Sequence, residues 1–228
     1  MMSGRFGQSA FWIASAVVVI GILLFPGTWV HALSLDELLS RIDGQFARTK
    51  DFQADFVQET VQKSLGTTER EQGRLFFKKP RKMLWIYEKP KAKTLVVNSE
   101  KSWLYIPEDQ VAYVQNTDRL LRSTATVRLL SGLSGIKNDF QVQFAASDQM
   151  ESRGNHLLQL IPRDRNAGFS KAYIEINGTT YNINQVRFED AYGNVTRVRL
   201  SNIKLNRQIK DQKFQFTPPA GVEVFPLP

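Results

Sequence analysis

The hydropathy of the chain changes period twice, and each change marks a different kind of element. Residues 10–25 form an almost unbroken apolar run behind Arg5, the one charged side chain among the first 32 residues. Pro26 and Gly27 break the run, and Val30-His31-Ala32 closes it with small or short residues where a signal peptidase reads. At about 16 residues the run falls short of the ~20 that a helix needs to cross a bilayer. It therefore reads as a removable export leader, with an uncleaved N-terminal anchor as the alternative. The expected division is a leader over 1–32 and one domain over 33–228, outside the cytoplasm.

From Ser34 the period is helical. Leu35, Leu38, Leu39, Ile42 and Phe46 form one apolar stripe over 35–49, and Ser34 with Glu37 has the spacing of a capping box. At Phe52 the period drops to two. Phe52, Ala54 and Phe56 alternate with Gln53, Asp55 and Val57. Strand-like runs follow at 73–79, 83–87, 94–97, 102–106 and 111–114, separated by turn-formers such as Lys79-Pro80-Arg81 and Pro107-Glu108-Asp109. Short connections between alternating runs predict an antiparallel meander. Residues 118–139 return to helical spacing, with Gly132 and Gly135 as breaks or caps. Strands resume at 140–145, 157–161, 172–176, 183–188 and 195–205, and a closing piece at 213–225 contains Thr217-Pro218-Pro219. The expected class is mainly β (α+β), one large antiparallel sheet with a few helices.

That sheet carries large apolar residues on alternating positions. Leu75 and Phe77, Trp85 and Tyr87, and Trp103 and Tyr105 form same-face pairs within their strands. The available covers are the stripe from Leu35 to Phe46 and the segment from Leu120 to Ile136, which contains Leu129, Leu130 and Leu133. Two short amphipathic helices are a small lid for about ten strands spaced near 4.8 Å. The outcome is either a packed core or a cavity that an apolar ligand fills.

Charge and composition change this picture little. The chain holds 30 Lys and Arg against 22 Asp and Glu, and loss of the leader takes the net charge from +8 to +7. Basic strands with interleaved aromatics also suit single-stranded nucleic acid, but export separates the protein from such a ligand. Without cysteine there is no disulfide, no thiol nucleophile and no residue for lipid attachment. His156 lies at a turn–strand junction with no companion at metal-ligand spacing and reads as an exposed loop residue. Gly132-Leu133-Ser134-Gly135 is one residue short of a nucleophile elbow and follows a helix, not a strand. Asp148 with Glu151, and Glu189 with Asp190, read as solvated loop acids. No constellation argues for an enzyme or a cofactor.

Four segments in register carry a family resemblance. FQADFVQ at 52–58 is similar to the F-x-A-x-F-x-Q strand of the LolA family of periplasmic outer-membrane lipoprotein carriers. GRLFFKKP at 73–80, followed by Met83-Leu84-Trp85, resembles that family's G-x-L-x-x-K-R-P…F-x-W segment. SWLYIP at 102–107 and FQFTPPAGV at 214–222 resemble its L-W-x-Y-x-P and closing F-x-F-x-P-P-x-G-V stretches. The resemblance implies an incomplete antiparallel β-barrel with a helical lid over an apolar cavity, located in the periplasm. It further implies a monomeric, non-enzymatic carrier that takes lipoprotein acyl chains from an inner-membrane LolCDE-type ABC transporter to an outer-membrane LolB-type receptor. A lipid-sensing envelope protein and a carrier of another lipid are the alternatives.

The expected acyl-chain contacts are Phe56, Leu75, Phe77, Trp85, Tyr87, Trp103, Tyr105, Leu129, Leu130 and Leu133. Two departures stand out. The family's latch Arg, which bonds the lid, is matched here by Lys79, which has three donors on a flexible stem instead of a planar fork. Its exposed apolar residue, implicated in meeting the transporter, is matched by Met83.

Overall fold

In a computed structural model, the residues described are 33–123, 129–130, 136–146, 154–164 and 167–227. The expected leader over 1–32, Leu133, Ser134, Asp148 and Glu151 lie outside them. Leu33–Pro228 forms one unit by internal packing.

Helix α1 (Leu35–Arg48) starts where its stripe starts. The Ser34 hydroxyl accepts from the Glu37 amide at 3.2 Å, while the Glu37 carboxylate turns to Arg41 at 2.5 Å instead of completing the capping box. Its buried residues are Leu38, Leu39 and Ile42, from the predicted face. Among the described residues, twelve strands then form a single sheet: β1 (Asp51–Gln62), β2 (Thr67–Lys78), β3 (Lys82–Lys89), β4 (Lys93–Val97), β5 (Lys101–Ile106), β6 (Val111–Asn116), β7 (Phe140–Phe144), β8 (His156–Pro162), β9 (Lys171–Ile176), β10 (Ile183–Glu189), β11 (Val195–Leu205) and β12 (Glu223–Pro226). Between β6 and β7 lie α2 (Thr117–Ser123), the helical pair Leu129–Leu130 and the single turn α3 (Ile136–Asp139). Among the described residues no helix is long and apolar enough to cross a membrane.

The spatial order is β12-β6-β5-β4-β3-β2-β1-β11-β10-β9-β8-β7, so β1 pairs with β11 and joins two meanders into one open sheet. All pairs are antiparallel except β12 with β6, a parallel edge pair that the alternation pattern does not announce. β2 begins at Thr67, six residues before its apolar part, because its exposed half pairs with the polar end of β1.

Register sorts the side chains into two faces. On the inner face, Phe52, Phe77, Met83 and Val97 form one cross-strand row, and Ala54, Leu75, Trp85 and Leu95 the next. Phe56, Gly73, Tyr87 and Lys93 form a third, followed by Gln58 with Glu71. This face and α1 share the large apolar cluster. The outer face carries a second cluster of Phe76, Leu84, Val96, Ile209 and Phe214, covered by the segment after β11. Buried Asp51 anchors that segment by accepting from the amides of Arg207 at 2.7 Å and Ile209 at 3.2 Å.

Gly73 is required by close packing. A Cβ there would sit 1.8 Å from the Ile86 carbonyl oxygen. The bare backbone also lets the Phe56 and Tyr87 rings meet edge to face over it, with centroids 4.9 Å apart.

Candidate functional site

The apolar cleft lies under the C-terminal half of α1. Ile42, Gln45, Phe46 and Thr49 of the helix form one wall. Phe52 of β1, Ile183 of β10 and Leu200, Ile203 and Leu205 of β11 form the floor, with Leu129, Leu130, Tyr181 and Asn182 at the sides. A bulge positions the floor. Between Gln53 and Asp55 on β1, β11 carries one extra residue, and Asn202 takes a left-handed φ of 51° while its amide donates to Asp55 at 2.6 Å. Leu200 thereby joins Ile203 and Leu205 on one side, although strict alternation would have opposed them.

The cleft is partly open to solvent, and its volume is about 60 Å³. At roughly 10–15 Å³ per water-sized sphere this admits a handful of small molecules and no acyl chain. A hydrocarbon guest therefore requires α1 or the Leu129–Leu130 segment to move.

Polar contacts hold the roof. At the rim, Gln45 donates to Asn182 at 3.1 Å, and Arg41 donates to the Tyr181 hydroxyl. Lys137 pairs with Asp36 near the start of α1. At the other end of the helix, Lys79 Nζ donates to the carbonyl oxygens of Phe46 at 2.5 Å and Ala47 at 3.4 Å. It also stands 4.0 Å from the centroid of the Phe46 ring. These carbonyls belong to the last turn, beyond the reach of the regular helical amides and carrying partial negative charge, and the Phe46 oxygen also accepts from the Thr49 amide at 3.1 Å. Burial holds the Lys79 ammonium below its ordinary pKa. Two residues on, Arg81 pairs with Asp118 of α2, so the β2–β3 turn ties down both covering helices. The sequence reading identified Lys79 and missed Arg81, whose position after the turn proline was the available signal.

The expected contact residues divide into four groups. Leu129 and Leu130 line the cleft. Phe56, Leu75, Phe77 and Trp85 are inward and buried, with Tyr87 half-buried beside them, but they pack against each other as solid core next to the cleft. Trp103 and Tyr105 are corrected: they face outward and pack on Phe216, both at 5.5 Å between centroids. Alternation sets relative facing within a strand only. β5 pairs Trp103 with Val96, which belongs to the outer cluster, so Leu104 opposite Leu95 takes the inward position. Leu133 lies outside the described residues.

Met83 is also corrected. It is 1 % exposed, because it lies two residues before inward-facing Trp85 on β3 and shares its face. It cannot present itself to a partner in this state. His156 opens β8 instead of lying in a loop, half-buried and stacked on Tyr181 at 6.4 Å. The cleft residues that the sequence reading missed are Gln45, Thr49, Phe52, Tyr181, Asn182, Ile183, Leu200, Ile203 and Leu205, while Ile42 and Phe46 were expected only as part of the covering stripe. No group of three or more candidate metal ligands occurs among the described residues.

The model of the family described as "Outer membrane lipoprotein carrier protein LolA" matches residues 47–217. An outer-membrane lipoprotein carrier protein from Nitrosospira multiformis is 30% identical over 210 residues, covering 91% of this chain and 95% of the relative. One from Methylococcus capsulatus is 27% identical, covering 82% and 86%. An uncharacterized conserved protein from Thermus thermophilus shares the fold alone, with a TM-score of 0.51 at 13% identity, covering 84% of this chain and 98% of that one. With the family model spanning α1's last turn to the closing segment, this chain belongs to the LolA family of outer membrane lipoprotein carrier proteins.

Proposed function

We propose that this protein carries lipoproteins across the periplasm by sheltering their acyl chains between α1 and the inner face of the sheet. It receives them from an inner-membrane LolCDE-type transporter and yields them to a LolB-type receptor. The observation that supports this reading best is the apolar cleft under a helix held by polar ties at both ends.

The small resting volume fits the energetics of a shuttle. Full burial of a three-chain lipid with ~45 methylenes would release about 36 kcal/mol at ~0.8 kcal/mol each. Reversible binding saturates near 18–21 kcal/mol. A carrier that enclosed its cargo without opposing cost would never deliver it. Separating α1 from the sheet opposes binding, because Leu38, Leu39 and Ile42 lose their packing and Lys79 its acceptors. Cargo release then recovers those contacts.

The test adds the purified protein to spheroplasts that retain newly matured lipoproteins. Release of lipoprotein into the supernatant in a soluble complex with the protein is expected. Retention of all lipoprotein on the membrane, with a known family carrier releasing it in parallel, would refute the reading.

A further inference from the structure

The inner face is polarised along its strands. Its rows run from wholly apolar (Phe52, Phe77, Met83, Val97) to polar and charged (Gln58, Glu71, with Tyr87 and Lys93). At the polar end Lys93 Nζ stands 2.5 Å from the Glu71 carboxylate and 4.5 Å from the Tyr87 ring centroid. Gln58 donates to Glu71 at 3.2 Å. Burial and the Glu71 charge raise the Tyr87 pKa, so the phenol stays a neutral O–H. Between the two ends lies Trp85, 1 % exposed, with Phe56 4.9 Å and Tyr87 6.3 Å away by ring centroid. Its indole nitrogen is buried and has no acceptor among the described residues.

An indole N–H only donates, and a buried donor left unmet is costly. We propose that Trp85 is a specificity residue that, once α1 lifts from the inner face, donates its indole N–H to an ester carbonyl of the bound acylglyceryl lipid. The hydrocarbon then runs toward Phe52 and Phe77, and the lipid's polar end leaves past Tyr87, Glu71 and Lys93. This rests on the carrier reading and narrows its ligand from any hydrocarbon to an ester-linked one.

The experiment titrates the protein, expressed with its own leader and purified, with dioctanoylglycerol and with its dioctyl ether counterpart, which lacks the carbonyls. Wild type should bind the ester about 5- to 20-fold more tightly, the range expected when a buried donor gains its acceptor. Trp85→Phe should bind both as wild type binds the ether. In wild type, the Trp85 indole proton should move downfield with the ester and not with the ether, an assignment that needs no stable variant. Equal wild-type affinity for the two lipids with no indole shift would overturn this assignment and leave the carrier reading standing. Binding of neither lipid would overturn both. A variant that weakens ester and ether alike would reduce Trp85 to packing and overturn the assignment.

Discussion

Replacing Lys79 by Leu tests whether the β2–β3 turn latches α1. The structure sets the magnitude. The bond to the Phe46 carbonyl at 2.5 Å is charge-assisted and contributes about 1.5–3 kcal/mol. The 3.4 Å contact to Ala47 adds little, and the approach to the Phe46 ring contributes about 0.5 kcal/mol at a half-exposed site. Desolvation of the ammonium, visible in its lowered pKa, offsets part of this. A net loss of about 2 kcal/mol corresponds to roughly 30-fold in the opening equilibrium of the helix end. Hydrogen exchange reads this directly. Amides near the end of α1, including Thr49 N–H on Gln45 and Phe46, should lose about 30-fold of their protection. Those of β9, distant in the strand order, should not. Lys79→Arg should keep protection, since its fork reaches the same acceptors. Protection in Lys79→Leu within about twofold of wild type would refute the latch.

Three further outcomes follow from particular contacts. Gly73→Ala forces a Cβ onto the Ile86 carbonyl and should cost about 3 kcal/mol, lowering the calorimetric melting temperature by about 6–12 °C; an unchanged melting temperature would contradict the register of β2 on β3. Leu200→Trp should fill the cleft and reduce acyl-lipid binding at least tenfold by fluorescence competition, whereas Trp103→Ala on the outer face should leave it unchanged; the reverse pattern would move the site to the other face. The Asp211 carboxylate is held below its ordinary pKa by hydrogen bonds from Lys78 and Lys82. Its contribution is present above the unfolded-state value and lost as pH falls through the folded one, so the segment over 206–216 should loosen in the acid range below about pH 4. Trp103 fluorescence, quenched or exposed as Phe216 departs, should report that transition, and Asp211→Asn should abolish it.

Local pattern determined much of this molecule. The stripe Leu35, Leu38, Leu39, Ile42 and Phe46 required a helix with one buried face. Each period-two run became a strand, because both are properties of consecutive residues. The four motif segments pointed to the family, and the resemblance drew attention to Lys79, whose ammonium donates to the Phe46 and Ala47 carbonyls. Tertiary structure alone decided which side of the sheet faces that helix, strand by strand. Alternation is blind to an absolute choice of face, and it placed Trp103 inward although its pairing with Val96 turns it out. It is equally blind to a bulge: the extra residue at Asn202 brought Leu200 beside Ile203 and moved the cleft onto β11, away from the aromatic strands that composition favoured. Met83 shows the same limit from the other direction, since a residue aligned with an exposed position is buried once its strand has a face to share with Trp85. Faces, bulges and cavities depend on residues far apart in the chain, and only long-range register brings them together.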